Sequence, residues 1–166
     1  MYKSISRKNF LTMSVLGSTT ILFNTRGHSQ MALKPKAEPL DKELVKEFVI
    51  KGHGDLPRVI ELLGKEPGLL NASWDWGGGD FETAIEGAGH MGNKEIANYL
   101  LQQGARMNIF CAAMLGRLDV VKSTLTSFPD LKFSKGPHGL QLLHHAKKGG
   151  DELLAVLEYL QSIGAQ

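Results

Sequence analysis

Residues 89–106, GHMGNKEIANYLLQQGAR, decide the fold. Gly92-Asn93 reads as a turn, and Ile96, Leu100 and Leu101 then fall at helical spacing on one apolar face. Gly104-Ala105 stops the helix, because glycine takes the left-handed conformation without steric cost. Ahead of the turn, residues 83–88 (TAIEGA) are small and apolar enough to form a second, closely packed helix. Two short helices joined by a glycine turn cannot bury both faces alone, so the pattern calls for copies of itself.

Copies align on the turn glycines Gly54, Gly92, Gly116 and Gly150, each followed by an apolar helix start (Val59, Ile96, Val120-Val121, Leu153-Leu154). A residue four positions before each glycine recurs as Ile50, Ala88, Ala112 and Ala146, and two copies end alike in Gly104-Ala105 and Gly164-Ala165. The spacings of 38, 24 and 34 residues scatter around the ~33 residues of one ankyrin unit.

Over residues 41–166 the chain resembles the ankyrin repeat family. The family's T-P-L-H-x-A signature falls on residues 141–146 (QLLHHA), where Leu, His and Ala match. It also falls on residues 83–88 (TAIEGA), keeping Thr and Ala, and on residues 107–112 (MNIFCA), keeping Ala. The resemblance implies an all-α ankyrin-repeat solenoid of about four helix-turn-helix units with short β-hairpin fingers. Its repeats would cover about 41–70, 71–105, 106–132 and 133–166. His144 matches the ankyrin histidine, whose family role is hydrogen bonding that braces neighbouring loops.

Charge is unevenly spread. Four of the 19 basic residues (Lys3, Arg7, Lys8, Arg26) precede residue 30, and none of the 17 acidic ones does. From residue 30 onward 15 basic residues face 17 acidic ones, so the domain carries no basic excess to neutralise phosphates and no nucleic-acid partner is expected. The N-terminus reads as an export signal over 1–29. Lys3, Arg7 and Lys8 precede a 14-residue apolar run (FLTMSVLGSTTILF), too short for a membrane span, and Gly27-His28-Ser29 is a small-x-small cleavage site. Residues 6–11, SRKNFL, resemble a twin-arginine signal with Lys8 in place of the second arginine. Residues 30–40, with Pro35 and Pro39, read as a linker. A periplasmic or secreted monomer, without stable membrane insertion, is the expectation.

The least ordinary segment is residues 71–82, NASWDWGGGDFE. It occupies the place of a finger and is four residues longer than the family spacing. Strand alternation puts Trp74 and Trp76 on one face with Asp75 opposite, and Gly77, Gly78 and Gly79 permit close backbone approach or positive φ. These tryptophans either cover an end of the core or form an aromatic contact surface with Asp75 and Asp80 at its rim. The third copy runs almost directly from Gly104 into its first helix, so its finger is missing and the concave face should be interrupted there.

Function is expected to be binding of a protein partner through Trp74, Asp75, Trp76, Asp80, Arg106 and His138, not catalysis. A carbohydrate- or small-ligand-binding module using the same tryptophan loop is the alternative. Cys111, the single cysteine, lies in FCAAM and reads as a buried small hydrophobe. Of the six histidines, the adjacent His144 and His145 point in different directions on a helix and neither has a ligand-type partner at i+4. The histidines are therefore expected to be structural, with no metal and no cofactor.

Overall fold

The computed structural model describes residues 38–165; the expected export signal and most of the expected linker lie outside them. Four helix pairs follow one another: α1 (Lys42–Gly52) with α2 (Leu56–Lys65), α3 (Ala84–Met91) with α4 (Lys94–Gln102), α5 (Ile109–Met114) with α6 (Leu118–Ser127), and α7 (Leu142–Lys148) with α8 (Leu154–Ser162). One antiparallel hairpin, β1 (Ser73–Asp75) and β2 (Phe81–Thr83), pairs Trp74 with Glu82 and Asp75 with Phe81. The described residues are therefore all-α with one small hairpin.

Local chemistry starts and stops the helices as the residue types dictate. Asp41, Asp55, Asn93 and Asn108 cap α1, α2, α4 and α5, each side-chain oxygen accepting from a first-turn N–H. Glu86 reaches back from α3 to accept the N–H and O–H of Thr83 at 2.8 and 2.7 Å. Gly92 closes α3 at φ +79°. The first helices of successive pairs stack, α1 on α3, α3 on α5 and α5 on α7. They bury Phe48, Ile85, Ala88, Ala112, Met114 and Leu142 between them.

Close approach carries this stacking. A Cβ on Gly52 would stand 2.5 Å from the Ala84 carbonyl oxygen, and one on Gly149 would stand 2.5 Å from that of Met114. Backbone cannot yield as a flexible side chain does, so Gly52→Ala is expected to destabilise the fold by about 1–3 kcal/mol. Urea denaturation of the variant beside Gly54→Ala, where an added Cβ meets nothing within 4 Å, checks this; equal losses would contradict it.

The position four residues before the turn glycine is buried as Ala88, Ala112 and Ala146 and 43 % exposed as Ile50; the first copy buries Phe48, Val49 and Gly52. Two readings of the sequence need correction. Leu154 is 46 % exposed, because a 3-10 turn over Asp151–Leu153 shifts the helical phase, and Val156 and Leu160 form the buried face. Leu40, read as linker, packs against the core.

The third pair matters most for the site. α5 has only six residues, and no strand precedes it. α3 and α7 therefore meet directly beside it, and a Cβ on Gly92 would stand 2.6 Å from the Lys148 carbonyl oxygen. The second and fourth units therefore touch beside the third.

Candidate functional site

The hairpin tip is tied down by its own polar groups. The Trp76 N–H donates to the Asp80 carbonyl at 2.9 Å, and the Gly77 N–H donates to Asp75 Oδ1 at 2.8 Å. Gly77, Gly78 and Gly79 all have positive φ, and a Cβ on any of them would meet nothing within 4 Å. The glycine run therefore serves the turn's conformation, not a close approach. From the rim, Asp80 reaches the fourth unit. Its Oδ1 accepts the His138 N–H and its Oδ2 accepts His138 Nδ1–H, both at 2.9 Å. His138, at φ +58°, is the one non-glycine positive φ among the described residues, and these two bonds hold it in that sparsely populated conformation. They also hold the Asp80 carboxyl below its ordinary range, the backbone bond contributing most.

Beneath the hairpin lies Glu82, fully buried on β2. The Trp76 indole N–H donates to its Oε2 at 2.8 Å. Three histidines converge on the same carboxylate. His53 Nε2 and His138 Nε2 stand 3.5 and 3.4 Å from Oε2, and His90 Nδ1 stands 3.1 Å from Oε1. Among the described residues Glu82 Oε1 and His90 Nδ1 face each other at 3.1 Å without a well-aligned hydrogen bond to any partner. Burial pushes the Glu82 carboxyl up, but His90, the nearby His53 and the Trp76 N–H outweigh it, and the net direction is down. Glu82 is thus a carboxylate whose own side chain is closed to solvent, with partly exposed His53 and His138 beside it.

Each histidine is oriented from outside. His53, at the C-terminus of α1, donates Nδ1–H to the carbonyl oxygens of Val49 and Ile50 at 3.0 and 3.2 Å. Its ring seats on α3 where Gly87 has no side chain; a Cβ there would come within 2.8 Å of it. His90, on α3, makes edge contacts with both other rings, at 4.8 Å to His53 and 5.2 Å to His138. His144 on α7 donates from Nε2 to the His90 carbonyl at 3.0 Å, a brace between the second and fourth units. The ligand atoms of His53, Glu82, His90 and His138 all lie within 4.8 Å of one another.

Of the residues expected from sequence to bind, Trp76, Asp80 and His138 come together here. Trp74 is half-buried with Lys46 Nζ 5.3 Å over its ring, and Asp75 faces outward. Arg106 stands apart: its N–H donates to Asn71 Oδ1, and it lines a cleft of about 190 Å³ with Thr83, Glu86 and Asn108. Lys46 Nζ stands over the Trp74 ring, and the Trp76 ring lies tilted at 5.8 Å from that of His138. Glu82, His53 and His90 were missed, and the expectation that the histidines offer no ligand set is corrected. His53 comes from the first unit and Glu82 and His90 from the strand and helix of the second; the one legible signal was that His53 and His90 fall near equivalent turns. Cys111 is buried, its thiol pushed up to about 12 by burial and then by the Glu86 charge, so it is no thiolate nucleophile.

No family model matches the chain, and a comparison with curated proteins finds none similar to it. Among the described residues no helix is long and apolar enough to cross a membrane.

Proposed function

We propose that the chain is a small exported ankyrin-type repeat protein that binds a protein partner with the end of the stack where the hairpin stands. The observation that carries this reading is a pair of exposed aromatic residues on a rigid support. Phe81 is 58 % and Trp76 38 % exposed, while the backbone and carboxylates around them are already bonded within the protein. Aromatic anchors fixed in advance lose little conformational entropy on association and are the residues that dominate interfaces. Four stacked helix pairs, the Gly-Ala endings and the His144 brace support the ankyrin part of the reading. The basic and apolar run before residue 30 supports export.

Crosslinking in the cell envelope with the full chain tests the surface. A Trp76→Ala/Phe81→Ala double variant is expected to lose its partner, weakening affinity by about 30-fold or more for an anchor pair worth ≥ 2 kcal/mol. Arg106→Ala, at the cleft beside Asn71, is expected to leave capture intact. A partner retained by a folded double variant removes the hairpin from the interface.

A further inference from the structure

We propose that His53, Glu82, His90 and His138 form a binding site for one divalent transition-metal ion of the zinc class, which staples the hairpin to the first, second and fourth helix pairs. The proposal does not depend on the partner-binding reading.

Proton bookkeeping is the first argument. His53 donates Nδ1–H to two carbonyl oxygens, and His138 donates Nδ1–H to the Asp80 carboxylate. In a neutral imidazole the other nitrogen then carries a lone pair. Both Nε2 lone pairs face Glu82 Oε2, itself an acceptor, at 3.5 and 3.4 Å. Acceptors do not gather around an acceptor unless something positive stands between them. Protonating all three rings would place three cations in edge contact, at 4.8 and 5.2 Å, in a site partly closed to water. A single divalent cation accepts every one of these lone pairs at once.

Distances give the second argument. Zinc bonds of about 2.0–2.1 Å in a tetrahedron leave neighbouring ligand atoms about 3.3 Å apart. His138 and His53 Nε2 stand 3.4 and 3.5 Å from Glu82 Oε2, close to that spacing and longer than the ~2.9 Å of an N–H···O bond, while His90 Nδ1 stands 3.1 Å from the carboxylate's other oxygen. The widest separation in the set is no more than 4.8 Å, which side-chain rotation closes. The third argument is the pair of orphans. Glu82 Oε1 and His90 Nδ1 are buried without a hydrogen-bond partner, a costly state that coordination removes.

Outer contacts fit as well. Metal-bound histidines give their second N–H to a carboxylate or a backbone carbonyl; His138 does the first and His53 the second. Three imidazoles and one carboxylate, with no thiolate, suit zinc, cobalt or nickel and not calcium or magnesium, which prefer all-oxygen shells.

The test is equilibrium dialysis of the tag-free full chain against Zn(II), Co(II) or Mg(II), with metal content read by mass spectrometry and the Co(II) form by visible spectroscopy. One equivalent of zinc or cobalt per chain is expected, with visible bands of a four-coordinate site and no retained magnesium. Glu82→Gln and His90→Ala should each abolish stoichiometric binding. In case those buried variants fail to fold, Asp80→Asn on the rim should keep the fold and weaken affinity by about 10–100-fold, while Asp75→Asn on the outer face should leave it unchanged. A chain that is folded by circular dichroism and holds neither zinc nor cobalt overturns the site, leaving the cluster a proton-sharing one. Undiminished binding in a folded His53→Ala/His138→Ala variant overturns it too.

Discussion

Glu82→Ala is expected to destabilise the folded domain by about 1–3 kcal/mol, the usual cost of leaving a buried donor without its acceptor. Glu82 is fully buried and is the acceptor for Trp76 and the common neighbour of His53, His90 and His138. Truncation strips the indole N–H of its acceptor, leaves three imidazole edges facing a void, and uncouples β2 from two other units. Urea denaturation in the presence of chelator measures this without any metal contribution. Glu82→Gln keeps an acceptor for the indole, so it should recover part of the loss. An Ala variant as stable as the parent would mean that the carboxylate contributes nothing to holding the hairpin.

Acid is expected to weaken the fold through His145 as pH falls from about 6.5 to about 4. His145 is 1 % exposed and rests at 5.1 Å against Phe110. Burial holds its imidazole down to about 4 from an ordinary 6.5; the Gln141 carbonyl opposes this, and the charges of His144 and His90 assist it. The sign follows from which state binds the proton. Below pH 6.5 the unfolded imidazole takes one and the folded imidazole does not, so stability falls with pH until about 4, where both are protonated. The difference corresponds to about 3 kcal/mol across that window. His145→Gln, measured beside the parent by denaturation at several pH values, should remove that slope whatever it does to stability at neutral pH. Equal slopes in the two proteins would show that His145 is not the group responsible. Glu82 and Asp80 act elsewhere: their carboxyls are held down in the folded state, so their contribution is present above their ordinary range, near 4, and is lost only as pH falls below it.

The histidine group and the hairpin are one device. Residues 71–82 hold a Trp-rich hairpin whose outer side, Phe81 and Asp75, faces solvent and whose inner side, Trp74 and Glu82, faces the helices. With Glu82 anchoring Trp76, and Asp80 anchoring His138, the aromatic surface is fixed from below and from the side.

Much of this was open to reading in the chain itself, because local signals are chemically autonomous. Asp41, Asp55, Asn93 and Asn108 cap helices by bonding N–H groups two or three residues away. Gly92, Gly104, Gly116 and Gly164 have the positive φ that their place after a helix suggests. Apolar spacing alone marks Ile96 and Leu100 for burial. The number of helix pairs followed from repeated glycine turns and apolar spacing, while the hairpin and the missing third finger followed from the resemblance to ankyrin repeats. Function-bearing placement did not. His53, Glu82, His90 and His138 have no common period, and Glu82 reads as one more acidic residue beside a turn. What joins them is the shortness of α5 and the lack of a strand before it, which let α3 and α7 touch and Asp80 reach His138 across 58 residues. Sequence determined the helices, because capping and periodicity act within a few residues. Tertiary structure alone decided the site, because the packing that assembles it depends on how closely whole helices approach.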